Sequence, residues 1–146
     1  MIRTTSLPAL FGALLLASPA LAQETPAATP EAPTLAVELN AMQPAEGACR
    51  ITFLASNGLA PIERVSLEVA LFGAGGGIDR LVSLDFKGLA TGKTRVVQFA
   101  LPGLDCQSVT RVLINDVTAC DGDGLDAAAC LAALSTSSRV PAEFGV

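Results

Sequence analysis

One stretch of the chain, residues 64–72, alternates with a period of two between apolar residues and small or charged ones. The apolar members are aliphatic throughout: Val65, Leu67, Val69 and Leu71. Because successive side chains of a β-strand point to opposite faces, this alternation predicts a strand with one buried face and one solvent-facing face. Aliphatic side chains of this kind suit a pleated surface that is half buried. Any fold of this chain therefore has to supply a core on one side of this strand.

Runs with the same period recur along the chain and are separated by turn-forming residues. Clusters of Gly, Pro and Asn occur at 43–47, 57–61, 73–77 and 87–92, which is typical of the connections between strands. The pattern predicts about seven strands and one short helix at 125–134, which the Ser-rich residues 135–138 end. The strands are expected at 35–42, 49–56, 63–72, 78–86, 93–101, 108–115 and 139–146. Short strands at this spacing indicate an all-β fold, a sandwich of two antiparallel sheets.

The first residues have the composition of a secretory signal peptide. Arg3 precedes a short apolar run, and Ala20-Leu21-Ala22 follows as a small-residue cleavage site, so we expect residues 1–22 to be removed after Ala22. The apolar run is too short to anchor the chain in a bilayer, although a buried or interfacial helix is the alternative. Residues 23–34 are rich in Pro and Ala and predict a disordered tether, which leaves 35–146 as the folded domain. The predicted location is periplasmic or secreted.

Four cysteines follow the predicted signal peptide, and in an exported chain they favour two disulfides. Three pairings are possible. Cys49 opens one predicted strand and Cys106 follows the end of another, so antiparallel pairing of these strands would bring the two together. Cys120 and Cys130 flank a short acidic segment and can reach each other locally. We therefore favour Cys49–Cys106 and Cys120–Cys130, and the absence of a C-x-x-C pair disfavours a redox-active role.

Composition removes several classes of function. The formal charge is −5 and the basic residues are scattered, which disfavours binding to nucleic acid. The chain has no His, Trp or Tyr, so the commonest general base and metal ligand are missing. The glycine run at 73–77 lacks the Lys-Ser/Thr and the helix of a phosphate-binding loop, and we expect no cofactor. The sequence thus predicts a protein that is not an enzyme, with a carboxylate-dependent hydrolase as a distant alternative.

Four aspartates in and around the sequence CDGDGLD are the candidates for a specific site: Asp116, Asp121, Asp123 and Asp126. Ca²⁺ binds six to eight oxygens, and closely spaced aspartates in a loop with glycine can provide several of them. The glycine spacing does not match an EF-hand, and Asp residues also begin turns and helices, as we expect of Asp126 at the start of the predicted helix. We expect an exposed acidic loop without metal, and binding of Ca²⁺ or a small ligand by residues 116–126 is the alternative.

The run at 51–81 resembles the small immunoglobulin-like modules of bacterial envelope proteins that are called FxLYD-like domains. The matching features are a strand that ends in Asn, a long alternating strand that ends in Leu-aromatic, and a glycine turn; the residues are Asn57, Val65, Leu67, Val69, Leu71, Phe72 and Gly77. The cysteines and the turn, which lacks an acidic residue, depart from the pattern. The whole chain also resembles uncharacterised exported proteins of Gram-negative bacteria. The resemblance implies an immunoglobulin-like sandwich and brings no catalytic residues with it. The Glu/Pro-containing tether and the lack of catalytic side chains favour an interaction or accessory module that acts on an unidentified envelope protein.

Overall fold

Two four-stranded β-sheets pack against each other across a shared core in residues 31–146, the part of the chain that this computed structural model describes. The strand order is β5-β2-β1-β7 in the first sheet and β4-β3-β6-β8 in the second. The bounds are β1 Leu35–Ala45, β2 Ala48–Asn57, β3 Ile62–Phe72, β4 Ile78–Leu89, β5 Thr94–Pro102, β6 Arg111–Gly122, α1 Ala127–Ala132, β7 Leu134–Ser138 and β8 Glu143–Gly145. A 3₁₀ turn, Cys106–Ser108, connects β5 to β6. The predicted all-β sandwich with one short helix is confirmed.

The sheets are mixed rather than purely antiparallel. Strands β1 to β6 pair antiparallel within their sheets, as the sequence predicted, whereas β7 pairs parallel to β1 and β8 pairs parallel to β6. The structure has one strand more than the seven predicted. The additional strand is β7, whose Ser-rich sequence we expected to end the helix without forming a strand. It carries no alternating pattern, and it is a strand because its backbone pairs with the free side of β1. The last strand begins only after Pro141, since proline has no N–H to donate to a ladder.

The core is built from the faces that the alternation predicted. On β3, Val65, Leu67, Val69 and Leu71 are all buried between the sheets. Phe53 of β2 lies near the centre, with ring centroids 5.5 Å from Phe86 and 5.6 Å from Phe144 in the opposite sheet. It also contacts Phe99 of its own sheet at 6.2 Å. These contacts join the two sheets through one residue.

Both predicted disulfides are confirmed. Cys49 of β2 is bonded to Cys106 in the 3₁₀ turn, and Cys120 of β6 is bonded to Cys130 of α1. Disulfides of this kind are typical of proteins that fold in an oxidising compartment. Within residues 31–146, no helix has the length and hydropathy needed to cross a bilayer. The predicted signal peptide with its cleavage site at Ala22, and most of the predicted tether, lie outside the described residues.

The helix α1 is capped as the sequence predicted. Asp126 has an extended backbone, and its side chain accepts a hydrogen bond from the Ala129 N–H at 2.7 Å. This bond satisfies one of the N–H groups that the first helical turn leaves without a partner. The cap positions α1, and with it the Cys130 end of the second disulfide.

Removing this cap should destabilise the domain measurably. We expect Asp126→Ala to lower the free energy of unfolding by about 1 kcal/mol, the usual effect of losing an N-cap acceptor. Urea denaturation measures the change, and Asp123→Ala is the matched control because Asp123 is exposed and makes no side-chain hydrogen bond within residues 31–146. Equal losses in the two variants would show that the cap does not contribute.

Candidate interaction surface

The four candidate aspartates do not form one loop. Strand β6 continues to Gly122, so Asp116 and Asp121 are strand residues; Asp123 lies in the following turn and Asp126 caps the helix. They were expected in a single loop because the sequence pattern of β6 becomes irregular after Asn115. The strand continues there through register shifts against β3. Among residues 31–146, no group of three or more His, Cys, Asp or Glu side chains is placed to hold a metal ion.

The outer face of the second sheet carries a row of apolar residues that crosses all four strands. The register places Leu81 of β4 opposite Ala70 of β3, Ala70 opposite Leu113 of β6, and Leu113 opposite Gly145 of β8. Leu81 is 51% exposed, Leu113 is half-buried, and Ala70 is covered by its neighbours. We call these four residues the apolar row.

A second row lies nearer the glycine turn and extends the apolar surface on its β4 side. Ile78 pairs with Phe72 and Phe72 with Arg111, and Ile78 is 63% exposed. The Arg111 guanidinium lies over the Phe72 ring, 5.3 Å from its centroid, a geometry in which the cation is attracted to the ring face. In the strand register, Arg111 lies opposite Glu143 of β8. Large exposed apolar side chains therefore meet a charged edge at this end of the sheet.

On the other side of the apolar row is an acidic row, formed by Ser83, Glu68 and Asp116. Glu68 and Asp116 are opposite each other on neighbouring strands, an arrangement of like charges that destabilises a sheet. Asn115 Nδ2 donates to Glu68 Oε1 at 2.6 Å, and Asp116 accepts from the Val117 N–H. Neither carboxylate has a basic partner within residues 31–146, where the ion pairs are Arg80–Asp79, Lys87–Asp85 and Arg139–Glu38.

Two other carboxylates of the domain, unlike those of the acidic row, have cationic partners. Asp85 lies on the same face, and hydrogen bonds from the Lys87 side chain and backbone N–H hold the pKa of its carboxyl below the usual range. In the first sheet, a hydrogen bond from Asn40, with a smaller contribution from Arg139, lowers the pKa of Glu38. These carboxylates have cationic partners inside the domain, whereas the acidic row does not.

Two clefts flank Pro141 in the connection between β7 and β8. One, of about 310 Å³, is lined mainly by apolar side chains beside the first disulfide: Met42, Pro44, Cys106, Gln107, Val109, Val140, Pro141 and Ala142. The other, of about 450 Å³, continues the row that contains Phe72 and Arg111. The sequence did not indicate either cleft, because their walls come from segments far apart in the chain.

The outer face of the first sheet is different. The register places Thr94, Ser56, Ala36 and Ser135 in one row across its four strands. Ser56 and Thr94 share a hydrogen bond of 2.7 Å between their hydroxyl oxygens. Within residues 31–146, Val96 is the one large apolar side chain on this face that is strongly exposed, at 61%. It lies opposite the half-buried Leu54 of β2, away from the apolar row and the acidic residues of the second sheet, and provides a reference of similar exposure for Leu81.

Comparisons of this chain with protein-family models, with curated proteins and with solved structures found no match. The resemblance to FxLYD-like domains and the immunoglobulin-like assignment therefore stay predictions. The function of the candidate surface is therefore inferred from the exposure and charge of its side chains.

Proposed function

We propose that residues 35–146 form a non-catalytic interaction module of the bacterial envelope, periplasmic or secreted once residues 1–22 have been removed. The observation that carries the proposal is the apolar surface on the outer face of the second sheet, where Leu81 and Ile78 are each more than half exposed. Contiguous apolar patches on the surface of a globular domain mark sites of interaction with other molecules. On the outer face of the first sheet, Val96 is the one strongly exposed large apolar side chain within residues 31–146, and single exposed residues of this kind are normal on a protein surface.

The chemistry of the rest of the domain supports the same function. The chain lacks His, Tyr and Trp, so a catalytic site would have to be built without the commonest general base. The two disulfides suit an oxidising compartment. A sandwich braced by two disulfides is a rigid support, and rigid supports lower the entropic cost of holding a binding surface in place.

Site-specific photocrosslinking tests the proposal. A photoreactive benzoyl-phenylalanine is introduced in place of Leu81 and, in a second variant, in place of Val96, in cells that export the chain. After irradiation we expect a discrete higher-mass adduct from position 81, because the partner lies on that face. Position 96 has nearly the same exposure on the opposite sheet and should give none. The readout is an immunoblot of the envelope fraction.

Two results would contradict the proposal. One is the absence of an adduct at position 81 in chains that are exported and oxidised normally. The other is an equal yield at positions 81 and 96, which would mean that the probe captures bystanders without regard to the face.

A further inference from the structure

The pairing of an apolar row with an acidic row on one sheet face specifies what kind of partner fits there. We propose that the partner is a basic amphipathic segment, whose apolar side chains lie on the apolar row while its Lys or Arg side chains lie on the acidic row. This inference rests on the proposed function, and it names the chemistry of the partner on that same face.

The two rows are spaced for one segment to contact both. They are two residues apart on β4 and on β3, as Leu81 to Ser83 and as Ala70 to Glu68. Two residues of a strand span about 7 Å, which a single peptide segment with differing sides can cover. The long aliphatic stems of Lys and Arg can lie along apolar surface while their charged heads reach the carboxylates.

The electrostatics of the face favour a cation at the acidic row. Glu68 and Asp116 face each other and accept hydrogen bonds from neutral donors, but neither has a basic partner within residues 31–146, so no positive charge of that part of the chain offsets their repulsion. A positive charge between them would replace repulsion by attraction. A site where the domain tolerates a locally unfavourable arrangement is where a function is expected.

The other possible occupants fit less well. A second copy of the chain would bring the same acidic row and a formal charge of −5, so it would be repelled. An anionic lipid surface would be repelled for the same reason. A metal ion alone would leave the apolar row uncovered, and no group of three or more ligating side chains exists within residues 31–146.

The test uses two synthetic peptides and the purified, oxidised chain. One peptide consists of Leu and Lys placed so that Leu forms one face and Lys the other; the second has Glu at every Lys position. Binding of each labelled peptide is measured by fluorescence anisotropy at low and high NaCl. We expect the Leu/Lys peptide to bind at least about tenfold more tightly than the Leu/Glu peptide, since like charges oppose association. Salt should weaken the binding because it screens exposed charges.

Variants of the chain locate the binding. Leu81→Ser should weaken the Leu/Lys peptide about tenfold, because an apolar anchor is lost. Asp116→Asn should weaken it about two- to fivefold, as expected for one exposed ion pair. The same Asp116→Asn change should raise the melting temperature by about 2 °C, because it relieves the repulsion with Glu68. If Asp116 had only a structural role, its replacement would not weaken peptide binding while raising the melting temperature. Val96→Ser is the control and should leave the affinity unchanged.

Each other outcome overturns the inference. If both peptides bind equally and Leu81→Ser weakens both, the face binds apolar segments without charge selection, which overturns the inference and leaves the proposed function in place. If Val96→Ser weakens binding as much as Leu81→Ser, or Asp116→Asn does not weaken it, the peptide binds elsewhere. A concentration-dependent dimer that Leu81→Ser abolishes assigns the face to a second copy. If neither peptide binds, an adduct at position 81 preserves the proposed function, and its absence removes both.

Discussion

Replacing Phe53 by Ala should cost about 4 kcal/mol of the free energy of unfolding, in the range found for truncating a buried aromatic residue. Phe53 is 1% exposed and contacts Phe86, Phe99 and Phe144, which come from both sheets. Truncation removes these contacts and leaves a cavity that neighbouring β-strands, held by their ladders, cannot close. Because a domain is stable by only about 5–15 kcal/mol, this one change removes a large share of the total.

Urea denaturation measures the loss, with Phe72→Ala as the control that makes the same chemical change on the outer face. Phe72 is half-buried and packs under Arg111, so its truncation should cost about 1 kcal/mol. If Phe53→Ala does not fold, Phe53→Leu keeps most of the volume and should cost about 1 kcal/mol. Equal losses for Phe53→Ala and Phe72→Ala would contradict a core centred on Phe53.

Removing the Cys49–Cys106 disulfide should have an effect of similar size. The bonded residues are 57 positions apart, and the chain-entropy model gives about 4 kcal/mol for cross-linking a loop of that length. The Cys120–Cys130 disulfide closes a loop of only 10 positions and should contribute about 3 kcal/mol. We therefore expect the Cys49→Ala/Cys106→Ala variant to be the less stable of the two double variants. Alanine is the replacement because Cys49 is fully buried and a hydroxyl there would lack a partner.

Guanidinium unfolding of the wild type, of both double variants and of a variant with all four cysteines replaced by Ala, each with and without reductant, provides the measurement. Reductant should lower the stability of the wild type to that of a variant with all four cysteines replaced, and should leave that variant unchanged. A wild type that is insensitive to reductant, or a larger loss in the Cys120→Ala/Cys130→Ala variant, would contradict the assignment of the main constraint to the longer loop.

For the candidate surface, the sequence predicted the face on which a side chain lies but not its neighbours on other strands. The alternation on β3 correctly predicted that Ala70 lies on the face opposite to that of Val69 and Leu71. It could not predict that Ala70 lies beside Leu113, which is 43 positions away in the chain, because register depends on the bulges in β6. The acidic residues illustrate the same limit. They are close in sequence, yet the continuation of β6 to Gly122 separates Asp116 from Asp126.

The sequence by itself determined the all-β class, the inward face of β3 and the cap of α1. It also led to the correct choice among three disulfide pairings. These properties follow from local rules, since side-chain alternation and capping act over a few residues and a strand's direction decides which cysteines can meet. Only the tertiary structure decided that the Ser-rich segment Leu134–Ser138 is a strand, that β7 and β8 pair in parallel, and that an apolar row adjoins an acidic one. The physical reason is that backbone hydrogen bonding to a neighbouring strand can form with almost any side chains, so pairing and register depend on what lies beside a segment.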